Sequence, residues 1–202
     1  MHTTASDGLL TAEELVSLAV RRGVRIISIT DHDSIDAIAP AERAAGSFSI
    51  EIFPGVEINT DVGESEVHIL GYLFEDQELL ENKLAALRRE RLKRGEAMIG
   101  RLKDLGLDVP FDRVLSLTGA ASLGRPHVAR VMVEQGYVST VKEAFDKYLA
   151  KGGPAYIPRV KFSPMEAIRL ISAARGIPVI AHPGKIRDQS LLDELVQHDV
   201  KG

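Results

Sequence analysis

Between Val24 and Asp36 the chain reads VRIISITDHDSID, and no other stretch constrains its fold as tightly. Val24 to Thr30 is a β-branched run of the kind that forms a buried strand. It stops at Asp31-His32-Asp33, and from Ser34 to about Ala45 the pattern is helical. Two carboxylates around an imidazole at a strand-to-helix junction are costly to bury unless something pairs with them. In α/β folds the C-terminal ends of strands are where ligands and metals are held. A plainer account has Asp33 or Ser34 capping the helix and His32 incidental. The other strand ends weigh against that account.

Thr11-Ala12-Glu13-Glu14 is a capping-box start for a helix to about Arg22, and Gly23 suits its left-handed close. Ser49 to Ile58 reads as a strand broken near Pro54-Gly55, with Glu57 beyond the break. Glu66 to Phe74 reads as a strand on which His68, Leu70 and Tyr72 share a face. From Asp76 to about Leu105 the spacing is helical, and Phe111–Leu117, Pro126–Gln135 and Ser139–Ala150 follow as shorter helices. Ser163-Pro164-Met165-Glu166 caps another helix, Ile177 to Ala181 is a strand delivering His182, and a last helix covers about Ser190 to His198. Strands alternating with helices predict a parallel sheet, barrel-like or doubly wound. The expected division is an α/β body, 1–75 and 155–202, carrying a helical insertion, 76–154.

The candidate ligands are His2, Asp7, Asp31, His32, Glu57, His68 and His182. A lone strand histidine is usually a satisfied core or surface residue. Three of the six histidines, however, lie on or just after predicted strands, which points to a multinuclear metal site. With no cysteine in the chain, disulfides and thiolate ligands are excluded, and mixed imidazole and carboxylate donors suit Mn, Fe or Zn. A net charge of −4 gives no reason to expect duplex DNA or membrane binding. The N-terminal residues lack a signal-peptide layout, and no apolar run reaches the roughly 18 residues of a membrane span, so the expected location is cytoplasmic. Arg125-Pro126-His127 after Gly124 opens a predicted helix, where a phosphate cradle can form, but the spacing alone favours a solvated cap at Arg125 with Pro126 a first-turn residue; Arg159 and Lys161 are weaker candidates of the same kind. The basic run Arg88 to Arg94 lacks interleaved aromatics and reads as a solvated helix face.

In this order, HTTASDG, ITDHDS, PGVEI, EVHILGY and AHPGK resemble the motifs of the PHP (polymerase and histidinol phosphatase) superfamily. The similarity is to its branch of nucleoside 3′,5′-bisphosphate phosphatases and 5′–3′ exoribonucleases. LGRPHVAR and KYLAKGGPAYIPR resemble the inserted helical segment of that branch. The resemblance implies a distorted (β/α)7 TIM-like barrel with a site for up to three divalent ions, Mn foremost. It also implies hydrolysis of phosphate esters of nucleotides or short single-stranded RNA. Carried onto this chain, His2 ligates a first metal, Glu57 bridges first and second, His68 and His182 complete the second, and Asp7 and His32 hold a third. Asp31 either orients the His32 ring or ligates directly, and Asp33 is a helix cap. Arg125 and His127 contact the phosphate. The family's leading His-x-His and its terminal Gly-Ser-Asp-x-His are not matched, which implies a barrel incomplete here, as a fragment or a degenerate domain. The rival readings are a non-catalytic PHP-like module and an amidohydrolase.

Overall fold

The computed structural model describes residues 1–62, 65–117, 123–158, 162–186, 188–198 and 200–202. Two compact units divide the chain, one made of Met1–Ala85 with Lys161–Gly202 and the other of Ala86–Val160.

The first unit is a mixed α/β layer. Helix α1, Ala12–Arg21, starts as the sequence predicts: Thr11 Oγ1 accepts from Glu14 N at 3.2 Å, and Glu14 Oε2 accepts from Thr11 N at 2.9 Å. Its buried residues Ala12, Leu15, Val16 and Ala19 recur at helical spacing and face the core. Strand β1 is Ile26–Ile29, and it is buried on one face only: Ile27 and Ile29 are inside, whereas Ile26 is 55% exposed. Helix α2 is Ile38–Ala45 and begins later than Ser34. Before it, Asp33 is buried with a left-handed backbone at φ 50°.

Strand β2, Glu51–Val62, runs through Pro54-Gly55 without a break. What changes at that dipeptide is the partner. Glu51 to Pro54 pair in parallel with β1, and Gly55 to Val62 pair antiparallel with β3, Ser65–Tyr72. A Cβ on Gly55 would lie 2.2 Å from Ser28 Oγ and 2.8 Å from the Ile29 carbonyl oxygen, so the handover depends on glycine. Strand β4, Ile177–Ile180, pairs antiparallel with β3, and the sheet order is β1-β2-β3-β4. The wholly parallel sheet expected from the strand and helix alternation is therefore corrected: among the described strands only β1 and β2 are parallel. Two residues separate β2 from β3, far too few for the crossover that a parallel pair requires.

Helix α7, Pro164–Ala173, opens with Ser163 and Glu166 in a capping box and packs on β2, β3 and β4 through Ala167, Ile168 and Ile171. Helix α8 is Gln189–Val196, capped by Asp188. Helix α3, Gln77–Asp104, starts in this unit and ends in the second.

The regular structure of the second unit is all helical among its described residues. It holds the end of α3, then α4 (Phe111–Ser116), α5 (Arg125–Glu134) and α6 (Val141–Ala144), the last continuing as a π-turn over Phe145–Leu149. Met98, Leu102, Val114, Val131, Met132 and Leu149 are fully buried in its own core. No helix among the described residues is long and apolar enough to cross a membrane.

Candidate metal centre

Because β3 runs against its neighbours, the end of β1, the middle of β2, the start of β3 and the end of β4 all fall at one end of the sheet. The chain places its acids and imidazoles there. His32 sits opposite Glu57 in parallel register, fixed by Glu57 N donating to Asp31 O at 3.1 Å and Asp33 N to Glu57 O at 2.9 Å. Glu57 pairs with Leu70 across the hairpin, which puts His68, two residues earlier on β3, on the same face. Ala181 N donates to His68 O, and His182 then takes a left-handed backbone at φ 35°, ending the strand alternation. Such a conformation in a non-glycine residue costs on the order of 1–3 kcal/mol and concentrates at functional sites. His2 arrives from the other side: Met1 lies along β1, its ammonium donating to Ser28 O and its carbonyl accepting from Thr30 N at 2.7 Å.

The result is a chain of rings around one carboxylate. Centroids of His2 and His32 are 4.7 Å apart, of His32 and His68 5.1 Å, and of His68 and His182 5.0 Å. Glu57 divides its oxygens. Oε2 lies 3.1 Å from His2 Nε2, while Oε1 lies 2.8 Å from His68 Nδ1 and 3.2 Å from His182 Nε2. Two donor groups follow, His2-His32-Glu57 and Glu57-His68-His182, each with its ligating atoms within 4.8 Å of one another. Each offers two imidazoles and a carboxylate oxygen, a donor set for a divalent ion that leaves positions open for water or substrate.

The electrostatics agree with cation binding. Burial would push the Glu57 carboxyl up, but hydrogen bonds from His2 and His68 outweigh it and hold the group well below the usual carboxylate range. The same hydrogen bond raises the pKa of His2. Burial lowers that of His32, favouring the neutral ring that can bind a metal. Nδ1 of His2 and Nδ1 of His32 are buried without a formed hydrogen bond; the first is 3.1 Å from Asp7 Oδ1 but poorly aligned with it. Ring nitrogens left in that state fit coordination by an ion.

Asp7 stands at the rim, its side chain 68% exposed, with Oδ2 3.9 Å from His32 Nε2. Asp31 turns away from the rings. Its carboxylate is fully buried and accepts from Thr3 N at 2.6 Å, Thr3 Oγ1 at 2.7 Å and Ser6 Oγ at 2.5 Å. Asp33 is not a helix cap, because α2 starts at Ile38 with Ala37 before it. Its oxygens accept instead from Asn59 N at 3.0 Å and Asn59 Nδ2 at 2.5 Å, tying the residues after His32 to β2. Thr3, Ser6 and Asn59 were not singled out in the sequence, although the two hydroxyls lie between His2 and Asp7.

Arg125 and His127 belong to the helical unit. The Arg125 guanidinium lies over the rings of Phe145 and Tyr156, and His127 Nδ1 accepts from Gly124 N at 3.1 Å, closing the first turn of α5. Burial, reinforced by the charge of Arg130, lowers the pKa of His127. Arg159 and Lys161 lie outside the described residues.

Comparison with known proteins adds relatives of the whole chain. The PHP domain family matches residues 1–156. The 5'-3' exoribonuclease Rnm of Salmonella typhimurium is 37% identical over 187 residues, which cover 91% of this chain and 64% of that protein. The 3',5'-nucleoside bisphosphate phosphatase of Chromobacterium violaceum is 33% identical over 198 residues, 96% of this chain and 70% of that one. Among solved structures, a protein of Bifidobacterium adolescentis described as a metal-dependent phosphoesterase superposes with a TM-score of 0.78 at 28% identity, covering 100% of this chain and 73% of the other. The chain thus spans about two thirds of the length of these relatives.

Proposed function

The chain belongs to the PHP domain family, and from that premise we propose that it is a metal-dependent phosphoesterase. Its substrates are phosphate esters of nucleotides or short single-stranded RNA, with nucleoside 3′,5′-bisphosphates the first to try. The observation that carries the reading is the division of the Glu57 carboxylate, one oxygen to His2 and the other to His68 and His182. A carboxylate shared in this way suits two adjacent cations, the arrangement used to stabilise both the attacking and the leaving oxygen of an in-line displacement at phosphorus.

His2, His32 and Glu57 would hold one ion and Glu57, His68 and His182 a second, with Asp7 extending the donor set toward a third. Bound there, divalent ions such as Mn, Fe or Zn supply Lewis acidity and a hydroxide at neutral pH. The chain's own side chains fix positions and protonation. Glu57 stays ionised and keeps the two halves in register, while His32 is held neutral. Arg125 and His127 complete the proposal as phosphate contacts. Support for Arg125 is that its aromatic partners fix the guanidinium, and among the described residues it makes one long bond, to Leu149 O at 3.4 Å, which leaves donors for an anion.

The proposal extends to the fold, in which the four strands form an arc of a distorted (β/α)7 barrel. Both edges support it: Met1 pairs along β1, and Lys201 N donates to Pro178 O of β4 at 2.9 Å. The test is turnover of a nucleoside 3′,5′-bisphosphate in manganese-supplemented buffer by the full-length protein, with metal content measured on the same sample. Phosphate release that is abolished by a chelator and restored by manganese is expected. Metal-loaded protein that releases no phosphate overturns the reading.

A further inference from the structure

We propose that Asp31 is a positioning residue that organises one half of the metal centre and leaves the other half untouched. This rests on the metal-centre reading above. The two donor groups are built differently. His68 stands on β3 and His182 lies two residues past the end of β4, with the intervening Ala181 N hydrogen-bonded to His68 O, so that group is carried by the sheet. The other group depends on His2, which begins a tight loop of residues 2–8 that also carries Asp7.

Asp31 is the point at which that loop is fastened. All three hydrogen bonds given to its carboxylate come from the loop, from Thr3 N, Thr3 Oγ1 and Ser6 Oγ, and the residue has no exposed surface. Thr3 and Ser6 are themselves buried. The loop closes on this anchor: Ser6 N and Gly8 N both donate to Thr3 O, and a Cβ on Gly8 would lie 2.4 Å from the His2 carbonyl oxygen. Thr3 is bonded directly to His2, and Ser6 to Asp7. Three of the four acceptor sites of this buried carboxylate are taken by the loop, and Asp31 belongs to neither donor group, so its action on the centre is indirect.

Thr3→Val removes the hydroxyl's bond to Asp31, and with it the one accepted from Ala5 N, without changing any metal-donor atom, and Thr3→Ser keeps both; Asp31→Asn replaces one acceptor oxygen with an amide donor. Manganese titration of the full chain, followed by calorimetry and by the electron paramagnetic resonance of bound Mn(II), reads the two half-sites separately. In Thr3→Val and Asp31→Asn, one binding step is expected to weaken roughly 10- to 100-fold while the other is retained, and Thr3→Ser to restore the wild-type isotherm. Hydrogen exchange on the metal-free proteins provides a second readout, with the amides of Ser6 and Gly8 exchanging faster in the two weakened variants alone. Equal weakening of both steps, or unchanged isotherms and unchanged exchange, overturns the proposal. A wild-type protein that takes up no manganese overturns the metal reading instead, and the exchange experiment then decides the anchoring role by itself.

Discussion

Replacing Gly55 with alanine tests how closely β1 must approach β2 for the centre to form. The added Cβ would meet three atoms of β1 and its end: Ser28 Oγ at 2.2 Å, Ile29 O at 2.8 Å and Thr30 Cγ2 at 2.8 Å. The serine hydroxyl can rotate away. The Ile29 carbonyl cannot, because Ile29 is in register with Pro54 and moves only with the strand. Carbon–oxygen contacts settle at roughly 3.3–3.6 Å, so β1 must retreat by about 0.5–0.8 Å. Overpacking of this kind costs about 1–3 kcal/mol, and alanine returns about 0.5–1 kcal/mol relative to glycine in a strand. A net loss of up to about 2.5 kcal/mol in a chain of this size lowers the melting temperature by up to about 10 °C. The same retreat pulls His32 from Glu57, whose backbone bridge lies two residues further on, so manganese affinity falls as well. Scanning calorimetry with and without manganese reads both effects. Gly100→Ala is the control, since nothing lies within 4 Å of its Cβ and the site is inside α3; it is expected to stabilise by up to about 1 kcal/mol. A Gly55→Ala protein that melts with the wild type and binds manganese equally well would refute the argument.

Glu57→Gln removes the charge shared by both donor groups, so manganese binding should fall at both steps together, by at least tenfold each in a calorimetric titration, in contrast to the one-sided loss expected at Asp31. For pH, the hydrogen bond to Glu57 raises the His2 pKa above its ordinary value, so its contribution to metal-free stability is full below about pH 6.5 and is lost as pH rises through the raised pKa. Metal has to displace that proton, so manganese affinity should rise across the same interval, and the melting temperatures of metal-free and metal-loaded protein should move in opposite directions; parallel curves would contradict this. Leu149→Ala in the helical unit deletes a fully buried side chain at the end of the π-turn. It should cost about 2–5 kcal/mol and show as lost amide protection in α4 and α5 by hydrogen exchange.

Local features were legible before any folding. Thr11 with Glu14 and Ser163 with Glu166 announce helix starts because the capping bonds span only three residues, and the folded chain makes both. The short β-branched runs marked their strands, and the imidazoles with Glu57 marked a site because such groups are costly to bury without a partner. Pro54-Gly55 was legible as a special point, but its meaning was not. A strand that ends and a strand that changes neighbours leave the same dipeptide, and only the approach of β1 separates them.

The pairings depend on long-range contacts. The direction of β3 follows from the two residues that join it to β2, and it brings the start of that strand, with His68, to the end where β1 and β4 finish. Asp31 and Asp33 are chemically alike and one residue removed from the same histidine, yet one fastens the loop behind His2 and the other fastens β2. Their partners lie about 25 residues away along the chain, on opposite sides. Side-chain hydrogen bonds over such separations carry no periodic signature in the sequence, because they exist only once the backbone has brought their partners within bonding distance.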